Sequence, residues 1–448
     1  MRLIEWRAAV VAVALTTIAE VIPPAIDAQE VGDAVPVVTL TEARRRAIAV
    51  DPDAVASRSD VETASWERRA ALANLLTPTI SANGNYTRFS DPFFNFGTGD
   101  ISPNAASATL EANYTLLGAG RWGELGSSRA SLASAEASET ASRFRTALEA
   151  DAAYLGVLAN RELATVAQDR LHRAEEQFEI ARVRVLAGDA LSSDSLQLLL
   201  EVNRARLEIL SRDSARVASQ LRLGRQIGLT GPADAAPIDS AAPQRLPISL
   251  ADATVEMRER GPEIEAARAE ERRAGALLNA QRERYLPEIT IGATTGAYDA
   301  ELFPSALKRS QLAVAVTIPI WNAGQRELSV ARARGDRNVA RARRADQERA
   351  AAENIAEVYH GYETARAGVE LARVGVTVAR ENYRVQDARH REGAANILDV
   401  MEAQVALSES EAALVQSRYA TRLALAQIET LLGRRLFDDG SETDRIDR

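Results

Sequence analysis

Two kinds of hydrophobic periodicity alternate along this chain. The first has a period of two. After Pro78, Ile80, Ala82, Gly84 and Tyr86 alternate with Thr79, Ser81, Asn83 and Asn85. Leu110, Ala112, Tyr114 and Leu116 do the same against Thr109, Glu111, Asn113 and Thr115. Two later stretches follow the same rule, one around Ile289, Ile291 and Ala293, the other from Leu312 through Ile320. Alternation of this kind predicts strands with one apolar and one polar face, here at 79–89, 106–117, 288–297 and 310–320. The second period is helical. Ile355, Val358, Tyr362, Ala365, Val369, Ala372, Val376, Ala379 and Tyr383 recur at spacings of three and four. Ala150, Ala153, Val157, Asn160, Ala164, Ala167, Leu171, Ala174 and Phe178 repeat it. That is a coiled-coil seam rich in alanine, which lets helices approach closely.

No proline interrupts the stretch from Arg326 to Arg391. A helix of about 65 residues is about 100 Å long, against an average near 11–12 residues in globular proteins. Gly188 and Gly393 are the helix breaks. Helices from Ser192 to Ile227 and from Ile397 to Leu432 complete two hairpins. Shorter helices, Pro52 to Leu76 and Pro262 to Leu286, precede each pair of strands.

The parts occur twice in the same order. Leu40-x-x-Ala43 leads to Asp51-Pro52, and Leu250-x-x-Ala253 leads to Gly261-Pro262. Leu117-Gly-Ala-Gly-Arg121 is answered by Ile320-Trp-Asn-Ala-Gly-Gln325, and Leu186-Ala-Gly-Asp189 by Arg391-Glu-Gly-Ala394. A period this long is a duplicated domain-sized unit. The expected organisation is a signal peptide at 1–28, an N-terminal segment at 29–39, repeat 1 at 40–231, a proline-rich linker at 232–247, repeat 2 at 248–433 and an acidic tail at 434–448.

Strands of about ten residues fit the 9–11 that a tilted outer-membrane strand needs. A soluble half-buried sheet shows the same alternation. Aromatic residues separate the two readings, because membrane barrels carry an aromatic girdle at each interface. Tyr114, Trp122, Tyr285 and Trp321 lie towards the strand–helix junctions. Tyr86, Phe89, Tyr298 and Phe303 lie at the opposite ends or in the loops. Four strands cannot close a barrel, and open edges are not tolerated in lipid. The chain must therefore share its barrel with copies of itself. An eight-stranded barrel is filled by its own side chains, so a conduit needs more than two copies.

Composition narrows the classes further. Arg2 and Arg7, the apolar run Ala8 to Ile18, and Ala25-Ile-Asp-Ala28 form a secretory leader, too short for a membrane anchor. The 448 residues contain no cysteine, which excludes disulfides, thiolate metal sites and a cysteine nucleophile. A net charge of −9 argues against nucleic acid as a partner.

The chain resembles the TolC family of outer-membrane efflux proteins. The residues that carry this are Leu40-x-x-Ala-x-x-x-Ala-x-x-x-Asp-Pro52, Tyr285-Leu-Pro287, Ile318-Pro-Ile-Trp-Asn-Ala-Gly324 and Gly393-x-x-x-x-Leu-Asp-Val-Met-Glu-Ala403. The resemblance implies a mixed α+β membrane protein. It would form a homotrimer whose twelve-stranded β-barrel, four strands per chain, continues into a long α-helical coiled-coil barrel reaching across the Gram-negative periplasm. It implies a periplasmic adaptor, an inner-membrane pump and outer-membrane lipid as partners, no nucleic acid and no cofactor. It assigns acidic residues past the hairpin tips to the periplasmic gate: Asp194, Asp399 and Glu402 here. Asp194 and Asp399 also fit as acids that favour the positive end of a helix. The tips Gly188, Asp189, Gly393 and Ala394 match adaptor-contact turns. Some members latch the closed state with a tyrosine and an arginine, at positions that read His390 and Ala395 here. Any latch must therefore differ, with Asp194 facing His390 or Arg391 as the candidate.

Two other classes compete. An enzyme needs a convergent nucleophile, base or metal set, and His172, His360 and His390 are scattered along helices. A periplasmic coiled-coil adaptor, or a structural protein of the cell envelope, would have hairpins without aromatic-belted strand pairs.

Overall fold

The computed structural model describes residues 35–94, 99, 101–118, 120–188, 191–238, 245–300 and 306–437. The expected signal peptide, Asp189, Phe303, part of the linker and the last residues of the tail lie outside them.

A short strand β1 (Val37–Val38) precedes α1 (Leu40–Val50) and α2 (Pro52–Leu76). Then come β2 (Thr79–Phe94), β3 (Ile101–Leu117), α3 (Arg121–Ala187) and α4 (Ser192–Gln226). The second series is β4 (Asp234–Ala235), α5 (Leu250–Arg260), α6 (Pro262–Glu283), β5 (Glu288–Asp299), β6 (Leu307–Thr317), α7 (Gln325–Arg391) and α8 (Ile397–Leu432). The helices start where local chemistry tells them to. Thr39 and Ser249 accept the N–H of Glu42 and Asp252 at α1 and α5. Asp51 accepts from Asp53 and Ala54 at α2, and proline opens both α2 and α6.

α3 and α7 are each 67 residues long, as the uninterrupted seam requires. Ile355, Tyr362, Val369 and Val376 are buried, while Val358, Ala365, Ala372 and Ala379 are half-buried. On α3 the same seam buries Ala150, Val157, Ala167 and Ala174. α3 packs on α2 and α6 in its sheet-proximal half and on α4 and α8 in the other. At mid-height β1 and β4 pair in parallel, and Tyr154 donates its hydroxyl to the Ala236 carbonyl at 2.7 Å. A core of Val38, Tyr154, Val157, Leu158, Leu223 and Ile227 fills that level. A second core gathers Met257, Ile264, Ile355, Tyr362, Ile428 and Leu432.

Five segments differ in extent from the expectations. The linker is partly ordered, because Asp234–Ala235 forms β4 and Ala233 and Ala235 join the first core. The tail begins later than 434: Leu436 and Phe437 pack on the second core, Arg434 pairs with Glu256 and Arg435 with Glu429. β2 and β3 run to 16 and 17 residues, longer than the alternation implied. β6 spans 307–317 instead of 310–320, because Pro319 has no N–H to donate to the ladder.

The sheet order is β2-β3-β5-β6, antiparallel throughout, with β2 and β6 as open edges. Register decides which residues share a face. Ile80 pairs with Ala112, Ala112 with Ala293, and Ala293 with Leu312. Tyr114 pairs with Ile291, and Ile291 with Val314. The apolar positions of all four strands therefore form one continuous face, and Asn83, Thr109, Glu111 and Thr294 lie on the other. Leu312, Val314 and Val316 are 74%, 65% and 61% exposed. Among the described residues no helix covers either face.

Candidate functional site

The distinctive chemistry lies at the two ends of the long helices. At the first tip α3 ends on Gly188, whose φ of 84° is left-handed, and whose N–H bonds the Arg184 and Val185 carbonyls. α4 then starts behind Leu191, with no side-chain cap. Asp194 stands in its first turn, half-buried, and accepts from Ser193 Oγ at 3.2 Å.

Among the described residues the second tip is tied down more fully. Gly393 has φ 76°, and the Ala394 N–H bonds the Arg389 carbonyl. Asn396 caps α8 by accepting from the Leu398 N–H. The Asp399 carboxylate accepts from the Asn396 N–H at 3.2 Å, which closes a capping box. Glu402 is exposed one turn further along. His390 Nδ1 lies 3.1 Å from the Ala395 carbonyl, and since a carbonyl only accepts, the ring donates from Nδ1. The two positions that the resemblance assigns to a latch are therefore bonded to each other inside one turn. Arg391 pairs with Asp387 at 2.9 Å. Among the described residues no bond joins Asp194 to either His390 or Arg391.

Sequence reasoning missed the bonds that hold the first hairpin to the second. Gln177 donates to Asp387 at 2.7 Å, and Arg184 to the His390 carbonyl at 3.2 Å. Higher up, Arg173 reaches Ser408 and Glu411, and Glu162 accepts from both Arg418 and Tyr419. Burial, and then the neighbouring Glu162 carboxylate, push the Tyr419 phenol well above its usual value, so it remains a donor. These contacts join positions more than 200 residues apart, and no spacing rule encodes them.

At the other end the helices meet the sheet through paired arginines. Arg121 lies over the Tyr114 ring at 5.7 Å and donates to the Thr115 carbonyl. Arg326 lies over Tyr285 at 4.7 Å and donates to the carbonyls of Pro319 and Ile320. Glu283, at the end of α6, accepts from the Gly123 N–H and so caps α3, whose own N-cap, Gly120, has no side chain. A Cβ on Gly123 would meet the Ala280 Cα at 2.5 Å, so this close approach requires glycine. Trp122 and Trp321 are exposed beside these joints, and Tyr86 and Phe89 are exposed on β2. Tyr298 departs from the expected belt. It pairs with Ser107 and Leu307, which puts it on the polar face with Thr294, because its position has the wrong parity for the apolar one. No helix among the described residues is long and apolar enough to cross a membrane, and the apolar surface of membrane character is the sheet face.

The sequence profile of outer membrane efflux proteins matches residues 43–229 and 254–434. The chain belongs to the outer membrane efflux protein family. The family is one of efflux proteins and not of enzymes, and membership places the chain in the outer membrane. Outer membrane protein OprJ of Pseudomonas aeruginosa is 28% identical over 314 residues, which cover 67% of this chain and 64% of OprJ. The match thus spans just under two thirds of that relative. In fold the chain is similar to the CmeC outer membrane channel of Campylobacter jejuni, with a TM-score of 0.77, 15% identity and coverage of 88% and 85%. It is likewise similar to the MtrE outer membrane channel of Neisseria gonorrhoeae, with a TM-score of 0.74, 20% identity and coverage of 89% of each chain.

Proposed function

We propose that this efflux family member is one third of a passive conduit through the outer membrane. The observation that carries the reading is that both lateral edges of the chain are unfinished. Among the described residues the outer edges of β2 and β6 have no partner strand, and unpaired edges cannot face lipid. The helices have matching open flanks. On α4, Leu196, Leu200, Leu207, Leu210, Val217 and Leu221 are exposed and recur at seam spacing, with Asn203 and Ser214 in the gaps. On α7, Leu371, Val374, Val378 and Val385 form a second exposed stripe. Each stripe is half of a coiled-coil interface without its partner among the described residues. Copies joined edge to edge satisfy sheet and helices together. Three copies give twelve strands, wide enough for a lumen, whereas two give a filled eight-stranded barrel. The two series of elements then act as repeats around the ring.

In this reading the exposed apolar face meets lipid and the polar face lines the passage. The helices carry the tunnel across the periplasm. An inner-membrane pump supplies the energy, and an adaptor docks at Gly188, Asp189, Gly393 and Ala394. Asp399 and Glu402, repeated threefold, form carboxylate rings at the mouth with Asp194 nearby. Such rings favour cations. Mass measurement in mild detergent, combined with planar-bilayer conductance, tests the proposal. A trimer that conducts is expected, and a monodisperse monomer that conducts overturns it.

A further inference from the structure

Unpaired charges on the sheet-proximal helices reveal how neighbouring copies are matched. α2 exposes Asp60 and Glu67 on one face, at the same heptad position, and α7 exposes Arg334 and Arg341 in the same way. Among the described residues none of the four has an ion pair. On the same helix as Arg334 and Arg341, Arg344 is paired, to Glu271 and Glu348.

The packing inside the chain supplies the register. α3 lies against α6, and Ser134 Oγ donates to Glu270 at 3.2 Å there. Counted from Pro52 and Pro262, Asp60 occupies in α2 the place of Glu270 in α6. Counted from Gln325 and Arg121, Asn338 occupies in α7 the place of Ser134 in α3. A second copy whose α2 met this α7 as α6 meets α3 would set Asp60 against Asn338. The helices are antiparallel, since α2 runs towards the sheet and α7 away from it. Arg341 then falls three residues from the level of Asp60, and Arg334 three from the level of Glu67. Three residues are about 4.5 Å along the axis, within reach of an arginine side chain.

We infer that Asp60 and Glu67 of one copy pair with Arg341 and Arg334 of the next, fixing the register of adjoining subunits just below the sheet. This rests on the ring reading above and adds to it which residues meet. The apolar stripes lower down favour contact along their whole length and tolerate a slip by one heptad. Two pairs of opposite charge do not, because a slip of one heptad breaks one pair and leaves a carboxylate and a guanidinium unmatched.

The chain has no native cysteine, so two engineered thiols report on one contact. Asp60→Cys with Asn338→Cys, treated with a short bismaleimide in detergent, should give covalent trimers on a denaturing gel. Leu207→Cys with Val374→Cys, which face each other if α4 meets α7 as α8 meets α3, is the control. Cross-linking by the control alone overturns the register while leaving the ring intact. Cross-linking by neither pair overturns both. In a charge test, Asp60→Arg with Glu67→Arg should abolish the detergent-stable trimer at unchanged helix content. Adding Arg334→Glu and Arg341→Asp should restore it. A trimer indifferent to the first pair of changes, or not restored by the second, also overturns the pairing.

Discussion

At the tip of α7 and α8, Asn396 and Asp399 exchange hydrogen bonds across the first turn, whereas at the tip of α3 and α4 the N-cap is Leu191, which has no side-chain acceptor. The helices behind the two tips are alike, with α3 and α7 of equal length and seams that bury corresponding positions. The second tip is also held by His390 on the Ala395 carbonyl and Arg389 on the Ala394 carbonyl. Among the described residues, the first is held by its glycine and by Ser193 on Asp194. A seam sets the length and pairing of a hairpin but not the rigidity of its end. Among the described residues, the tip that carries Asp399 and Glu402 has the closed capping box, and the tip that carries Asp194 starts its second helix without a side-chain cap.

The comparison is most severely tested at the glycines. Gly188 and Gly393 both have left-handed φ with open space around the missing Cβ, so a replacement strains the turn without a clash. Such strain is about 1–2 kcal/mol for a residue with a side chain. Gly393→Trp should leave outer-membrane trimer yield unchanged and reduce export to background, read as cellular accumulation of the cargo. Gly188→Trp should reduce export less, because an uncapped turn can relax. Equal loss from both would remove the distinction drawn between the tips.

A smaller but still large effect is expected on ion selectivity. With Asp399→Ala and Glu402→Ala combined, the cation-to-anion permeability ratio in planar bilayers should fall towards one. If it stays unchanged, the charge that selects ions lies at Asp194 or in the extracellular loops.

Capping is worth about 1 kcal/mol. Asn396→Ala should therefore speed amide hydrogen exchange in the first turn of α8 about fivefold. Leu191→Asp should slow it in the first turn of α4 by a similar factor, making the first tip resemble the second. No change at either tip would mean that the caps add nothing to the difference.

The smallest effect concerns Glu381, near the second tip. Hydrogen bonding from Arg384 holds its carboxyl below the usual range. Its contribution is thus present above the ordinary carboxylate value and is lost as pH falls through the lowered one. Since both groups are exposed, Glu381→Gln should shift the thermal midpoint at neutral pH by no more than about 1 °C, and not at all at strongly acid pH.

Much of the architecture is legible in the sequence because it is periodic. The α7 seam, the glycine breaks and the apolar face of the strands each repeat at a spacing that a single chain displays. The ends of elements are less legible, since they depend on single residues: Pro319 stops β6, and one step of parity takes Tyr298 off the apolar face. The acids past the second tip are legible, but the hydrogen bond from the Asn396 N–H to Asp399 that closes the turn is settled only by the local geometry. Least legible were contacts such as Gln177 to Asp387 and Glu283 to Gly123, which arise only when distant helices are brought side by side.

α3 belongs to both tiers of the molecule, packing on α2 and α6 near the sheet and on α4 and α8 near the tips. It runs unbroken for 67 residues, about 100 Å at the helical rise. Mechanically it is a shaft without a joint. Between Gly188 and Gly123 no interior proline or left-handed residue offers a torque a hinge at which to yield. Such a torque arrives at Gly123, where the Glu283 carboxylate and the Ala280 backbone grip the far end. Whatever turns the tip therefore also loads the rim of the sheet, and stiffness at that rim sets how far the tip can turn.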